Sequence, residues 1–274
     1  MSSVSETPWL RESKLILENV SRSFPSPGGT LVALENINLA VKEGEFLCIV
    51  GPSGCGKSTV LNLLAGLDRP TSGTIWADGH PMEVPQKGHI LIFQELGLFP
   101  WLNVRENVEF GLRMQGVGEK VRRGRARDYL RLVHLSRFED SYIHQLSGGM
   151  KQRVALARAL ALEPDVLLMD EPFAALDAQT RDLLHEELER IWAETRKTIV
   201  FVTHNVREAV RLGDRVILLT FRPGRLKSGF FVELPRPRHL EDAELIRTTR
   251  EILDQLSGEI NKAVESEYNH EETA

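Results

Sequence analysis

The chain predicts an α/β protein built on a parallel sheet, and three features carry that expectation. Short apolar runs alternate with helical patterns through the second half of the sequence. One earlier run, Glu45 to Val50, leads at once into a glycine-rich loop and then a helix. No apolar stretch reaches the ~18 residues that a membrane-spanning helix needs. Alternation of this kind sets strands side by side and parallel, because each helix returns the chain across the sheet.

Composition narrows the class further. A length of 274 residues allows one large domain or two modest ones. With 42% hydrophobic and 27% charged residues, disorder, collagen-like repeats and a disulfide scaffold are excluded. The net charge of −5 gives no general reason to expect nucleic acid or an anionic membrane as partner. Cys48 and Cys55 form no C-x-x-C pair and cannot fill a four-ligand metal site, so they read as reduced thiols of a cytosolic protein. Met1 to Leu10 is polar and lacks the plan of a signal peptide.

The elements follow in order. Residues 1–12 read as a loose leader. Lys14 to Phe24 reads as a strand, and Pro25-Ser26-Pro27-Gly28-Gly29 as a breaker. Leu31 to Leu39 alternates as a half-buried strand does. Glu45 to Val50 is a buried strand, and Lys57 to Ala65 a helix with Gly66 as its C-cap. Thr74 to Ala77 and Gly88 to Phe93 read as strands, and Leu102 to about Val133 as mostly helical. A helix from Ser147, a strand from Val166 to Met169, a helix from Ala178 to Arg196 and a strand from Thr198 to Thr203 complete the pattern. In the tail, Leu245, Ile252, Leu256, Ile260 and Val264 recur at helical spacing, so Leu256-Ser257-Gly258-Glu259 reads as helix.

Gly51-Pro52-Ser53-Gly54-Cys55-Gly56-Lys57-Ser58 fits G-x-x-x-x-G-K-[ST]. By average composition, a chance match in a chain this long is roughly a one-in-a-hundred event. Glycines let successive backbone N–H groups turn toward phosphate oxygens, and the helix start adds partial positive charge. Lys57 suits the β- and γ-phosphates, and Ser58 suits Mg²⁺. Val166 to Met169 ends in Asp170 and Glu171. That puts carboxylates at a strand tip, where α/β sheets bind ligands. Asp170 would hold the Mg²⁺ shell and Glu171 would activate a water. Cys55 lies within the loop, so alkylation of its thiol is expected to block nucleotide.

Leu146-Ser147-Gly148-Gly149-Met150-Lys151-Gln152 offers a second helix start suited to an anion, with Ser147 as N-cap. Here the chain resembles the ATP-binding-cassette ATPases, whose signature is LSGGQ, with Met150 at the fifth place. The resemblance covers about residues 14–232 and implies a P-loop NTPase fold: a RecA-like core sheet, an antiparallel β subdomain, and a helical subdomain carrying the signature. It implies an ATPase domain over 14–235, with the helical subdomain at about 98–160 and a short helical extension at 236–274. It also implies residue roles. Gly51, Pro52, Ser53, Gly54, Cys55, Gly56, Lys57, Ser58 and Thr59 would take the phosphates of ATP, and Phe24 would stack on adenine. Ser58, Gln94 and Asp170 would surround Mg²⁺. Lys57, Glu171, Gln94 and His204 would serve hydrolysis. Ser147, Gly148 and Gly149 would cap the nucleotide held by a second subunit, and Asp177 would cross that interface. Taken singly, Asp177 is most simply a helix N-cap.

Only one phosphate loop is present, and the 90 residues from Lys57 to Ser147 hold no long coiled coil. Both facts separate the chain from the translation-factor and DNA-repair members of that family. The basic run Lys120, Arg122, Arg123, Arg125 and Arg127 lacks interleaved aromatics and reads as a solvated helix face, not a nucleic-acid surface. Leu98-Phe99-Pro100-Trp101-Leu102-Asn103-Val104-Arg105-Glu106-Asn107-Val108 and Arg222-Pro223-Gly224-Arg225 are similar to the nitrate, sulfonate and taurine importer ATPases. On its own, Trp101 reads equally as a buried anchor or as a partner contact. The resemblance implies a homodimer on the inner face of the cell membrane. Its partners would be two integral-membrane permease subunits and, indirectly, a periplasmic or lipid-anchored solute-binding protein. Related importers of thiamine precursors and other small solutes, and a non-transport ATP-dependent clamp, stay open as alternatives.

Overall fold

The computed structural model describes residues 13–26, 29–239 and 241–271. The 1–12 leader lies outside them. The chain divides into two compact units, one formed by residues up to 86 together with those from 198 onward, the other by 87–197.

In the first unit, β1 (Ser13–Ser26), β2 (Gly29–Lys42), β4 (Ser72–Ala77) and β5 (His80–Pro81) form an antiparallel sheet in the order β2-β1-β4-β5. The Pro25–Gly29 cluster does not break β1. β1 runs on through Pro25 and Ser26, which lie opposite Thr30 and Gly29 of the antiparallel β2. Proline is tolerated at a strand end, where its missing N–H costs no ladder bond. β3 (Phe46–Val50) runs parallel to β8 (Thr198–Val202) on one side and to β9 (Arg215–Leu219) on the other. β10 (Leu226–Phe231) pairs antiparallel with β9. Every residue of β3 and β8 is buried, as expected of parallel strands covered on both faces.

α1 (Lys57–Leu64) follows β3. Gly66 ends it as the sequence suggests, with φ 71°. Its amide bonds Leu63, and the Leu67 amide reaches back to Asn62, which is the bonding of a glycine-terminated helix. α6 (Val206–Leu212) follows β8, and α7 (Ala243–Glu271) closes the chain with Leu256 to Glu259 inside it.

Arg238 is 2% exposed and fastens the chain before α7 to the end of α6. Its guanidinium donates to the carbonyls of Val210, Arg211, Gly213, Val232 and Leu234 at 2.6–3.2 Å. Helix ends leave such carbonyls without intrahelical partners. Within α7, Glu259 is 1% exposed. It accepts from Lys227 and Lys262, both at 2.8 Å, and from the Phe221 amide at 2.9 Å. Burial alone would raise its carboxyl, but these bonds outweigh that effect and bring its pKa down to about 2.

The second unit holds the parallel pair β6 (His89–Ile92) and β7 (Val166–Asp170), with α2 (Val104–Met114), α3 (Glu119–Leu132), α4 (Gly148–Leu160) and α5 (Ala178–Thr195). The stretch from Leu102 to Val133, expected as mostly helical, is α2 and α3, with Gly116 between them at φ 77°. α2 opens with a reciprocal capping box between Asn103 and Glu106. On α3, Arg122, Arg123, Arg125 and Arg127 pair with Glu109, Glu119, Glu163 and Glu139.

Candidate functional site

The glycine-rich loop leaves the sheet at the tip of β3, which β8 and β9 hold from both sides. Gly54 takes φ 71° and Gly56 φ 99°, conformations that only glycine adopts freely. A Cβ on Gly56 would stand 2.6 Å from Leu34 Cδ2. α1 begins at Gly56 without a side-chain cap, so its first amides are left to whatever anion the loop encloses. Lys57 is buried, and its Nζ donates to the carbonyls of Gly51 and Pro52, each at 3.0 Å. Ser53, Gly54 and Ser58 are exposed, and Thr59 is half-buried. The loop thus presents backbone, a hydroxyl and one ammonium over a short span, a donor set that suits a polyphosphate.

A second segment braces the loop. Arg222 Nε donates to the Gly54 carbonyl at 2.9 Å. Gly224 lies so close that a Cβ there would be 2.2 Å from the Cys55 carbonyl. The Gly224 amide bonds Ala33, and its carbonyl takes the Glu35 amide. Sequence reasoning used Arg222-Pro223-Gly224-Arg225 only as a mark of likeness; in the structure this segment packs onto the phosphate loop.

Cys55 corrects an expectation. Its side chain is fully buried, and burial pushes its thiol pKa up. Low access and a small thiolate fraction both oppose alkylation of the folded chain. Phe24, half-buried on β1, lies under the Arg22 guanidinium, 4.4 Å from the ring centroid. Arg22 in turn pairs with Asp68 at 2.8 Å. His204 is exposed just after β8. Asn205 follows it and caps α6 by accepting the amides of Arg207 and Glu208. Thr203 donates to Glu208 and accepts from the Asn205 amide. The turn that carries His204 is therefore fixed on both sides.

The other expected residues lie in the second unit. Asp170 is the last residue of β7, and Glu171 follows with φ 43°. A left-handed conformation at a non-glycine residue is strained, and such strain gathers at working sites. Nothing in residue type or spacing signals it. Gln94 is exposed two residues beyond β6. The loop after it is braced by Arg158 of α4, which donates to Leu96 at 2.6 Å and Gly97 at 2.7 Å. Asn107, fully buried, pins the next turn by accepting the Phe99 amide and donating to the carbonyls of Phe99, Leu102 and Asn103. That pin leaves Trp101 70% exposed, which rules out the buried-anchor reading.

Ser147 caps α4 by accepting the Met150 amide at 3.3 Å. Asp177 caps α5, taking the Thr180 amide at 3.0 Å and the Thr180 hydroxyl at 2.7 Å. These two bonds, amide first, hold its carboxyl below the usual range. A Cβ on Gly149 would meet Thr180 Cγ2 at 2.3 Å. The starts of α4 and α5 are thus adjacent: Gly149 lies against Thr180, which Asp177 holds, and a Cβ on Gly148 would stand 3.4 Å from Leu176.

Comparison with known proteins shows the family. A family model described as "ABC transporter" matches residues 34–174. An uncharacterised ABC transporter ATP-binding protein of Methanocaldococcus jannaschii is 48% identical over 92% of this chain and 94% of its own. The nitrate import ATP-binding protein of Synechocystis is 50% identical over 81% of this chain and 83% of its own. The taurine import ATP-binding protein of Burkholderia pseudomallei is 50% identical over 82% and 86% respectively. Among solved structures, the dimeric post-hydrolysis ATP-binding cassette MJ0796 with ADP and Pi superposes with a TM-score of 0.72 at 37% identity, over 81% of this chain and all of its own.

Proposed function

Because the chain belongs to the ATP-binding cassette family of ABC transporters, with its P-loop NTPase fold and ATP hydrolysis, we propose that it energises a bacterial importer of a small anion of the nitrate, sulfonate or taurine type. The observation that carries the solute class is identity at half of all aligned positions to both a nitrate and a taurine import ATPase, over four-fifths of each chain. The ATPase domain is taken as 14–235, its helical subdomain as 98–160 and its extension as 236–274.

The residues have these roles. Gly51 to Thr59 wrap the phosphates, and Lys57 neutralises their charge. The hard oxygen donors of Ser58, Gln94 and Asp170 would hold Mg²⁺, which when bound would offset the charge that develops on the phosphates. Glu171 takes a proton from the attacking water, while His204 orients the γ-phosphate. Phe24 stacks on adenine. Ser147, Gly148 and Gly149 close over the nucleotide of the second subunit, with Asp177 at the seam. A homodimer is supported by the dimeric cassette among the relatives.

The permease subunits dock on the second unit, at the inner face of the membrane. A hollow of about 210 Å³ there is lined by Phe99, Phe110, Arg158 and Leu162, and Trp101 stands exposed next to Phe99, with ring centroids 5.6 Å apart. No helix among the described residues is long and apolar enough to cross a membrane, so the path for solute belongs to those partners. Reconstitution with the membrane proteins encoded beside it, in vesicles, is the test. Solute-stimulated ATP hydrolysis with taurine, an alkanesulfonate or nitrate identifies the class. Stimulation by a thiamine precursor alone, or recovery of nucleic acid in place of membrane proteins, would reject it. Trp101→Glu should abolish co-purification while leaving ATP binding by the isolated chain unchanged.

A further inference from the structure

A groove of about 500 Å³ lies between α6 and α7, within the range that holds small organic ligands. Its walls combine apolar Leu245, Ile246 and Leu253 with Arg207, Thr249, Arg250 and Asp254. None of these residues figures in the nucleotide chemistry.

The two cations enter from different helices, and among the described residues neither guanidinium has an ion-pair partner. Arg250 is not paired even with Asp254, four residues on, where helical pairs commonly close. The second observation is independent. Thr249 is only 5% exposed, and its Oγ1 has no hydrogen-bond partner among the described residues. A helical threonine hydroxyl ordinarily bonds the carbonyl four residues back, and a buried hydroxyl left open is a cost that native structures seldom carry. Beside these polar groups, Ile246 and Leu253 stay partly exposed, two helical turns apart on one face.

We propose that this groove binds a small organic anion. Its sulfonate or carboxylate head would sit between Arg207 and Arg250 and accept the Thr249 hydroxyl, with a short alkyl body over Ile246 and Leu253. Asp254 leaves the groove with one net positive charge, which matches a monoanion and disfavours a dianion. A chain ending in an amine gains Asp254 as a partner. Such a ligand would bridge α6, which begins just after His204, to α7, which carries Glu259. The proposal stands on the groove alone and does not depend on the solute class proposed above.

The test is isothermal titration of the full chain with 1-propanesulfonate and 3-aminopropanesulfonate at fixed ionic strength. The phosphate loop is first filled with a non-hydrolysable ATP analogue and magnesium. Saturable one-to-one binding is expected, tighter for the aminosulfonate. Arg207→Gln and Arg250→Gln should each weaken it at least about tenfold with melting temperatures unchanged, and the near-isosteric Thr249→Val about threefold without lowering the melting temperature. Four outcomes overturn the site: no saturable binding, binding abolished by the ATP analogue, equal binding of sodium nitrate or propylammonium, or full binding by the double Arg207→Gln, Arg250→Gln variant.

Discussion

The starts of α1 and α4, both proposed to meet nucleotide, are built differently. α1 opens on a left-handed glycine with no side-chain cap, and a buried lysine is held by the loop's own carbonyls. α4 opens on Ser147, whose hydroxyl already takes the Met150 amide. The first leaves its amides and a full cationic charge to a ligand, which is what a resident polyphosphate requires. The second is already satisfied and brings only a hydroxyl, two glycines and the helix dipole, enough to close over a nucleotide held elsewhere. On the proposed roles, the start with the left-handed glycine and the buried lysine would hold the nucleotide, and the capped start would close over it.

The largest expected effect isolates chemistry from both starts. Glu171→Gln should cut turnover by about 10²–10⁴-fold while ATP still binds, and a dimer should accumulate on a sizing column. A monomer at saturating ATP would end the two-subunit account. Next, Lys57→Ala should lower ATP affinity by about 100-fold in a direct titration. Ser147→Arg should instead abolish hydrolysis and leave that affinity unchanged; equal losses of affinity would erase the distinction. Smaller still is the backbone contrast. Gly56→Ala must adopt a left-handed conformation against Leu34 and should lose about 1–3 kcal/mol of stability. Gly148→Ala meets only an ordinary contact at 3.4 Å with Leu176 and should stay within about 0.5 kcal/mol in the same denaturant titrations.

The smallest effect concerns the brace behind the first start. Glu259 holds the Phe221 amide, next to Arg222 on the phosphate loop. Its folded pKa, about 2, lies below the ordinary carboxylate value. Its contribution is therefore complete above that ordinary value and is lost as pH falls toward 2. Melts from pH 5 down to pH 2 should show a steeper decline for the native chain than for Glu259→Gln. Parallel curves would remove Glu259 from the brace.

The sequence made the motif-bearing parts legible because their constraints are local. A left-handed turn demands glycine at Gly54 and Gly56, a helix start demands Ser147 or Asp177, and a buried parallel strand demands the run Val166 to Met169. What stayed hidden was non-local. Arg222 and Gly54 are 168 residues apart, so no window of sequence joins them. Strands β9 and β10 and helix α6 are short and went unread. Glycine normally marks a left-handed φ in sequence, and Glu171 offers no such mark. The sequence ends β1 two residues early, because Pro25 and Ser26 read as breakers yet still pair with Thr30 and Gly29.

The Arg238 clasp makes the segment that leads into α7 part of the folding unit. Its guanidinium plugs the exit of α6, so neither partner is finished until the other arrives. A stop codon before position 238 would not trim a loose appendage; it would uncork a helix end beneath the sheet. A purification tag belongs beyond the final turn of α7, never in place of that helix.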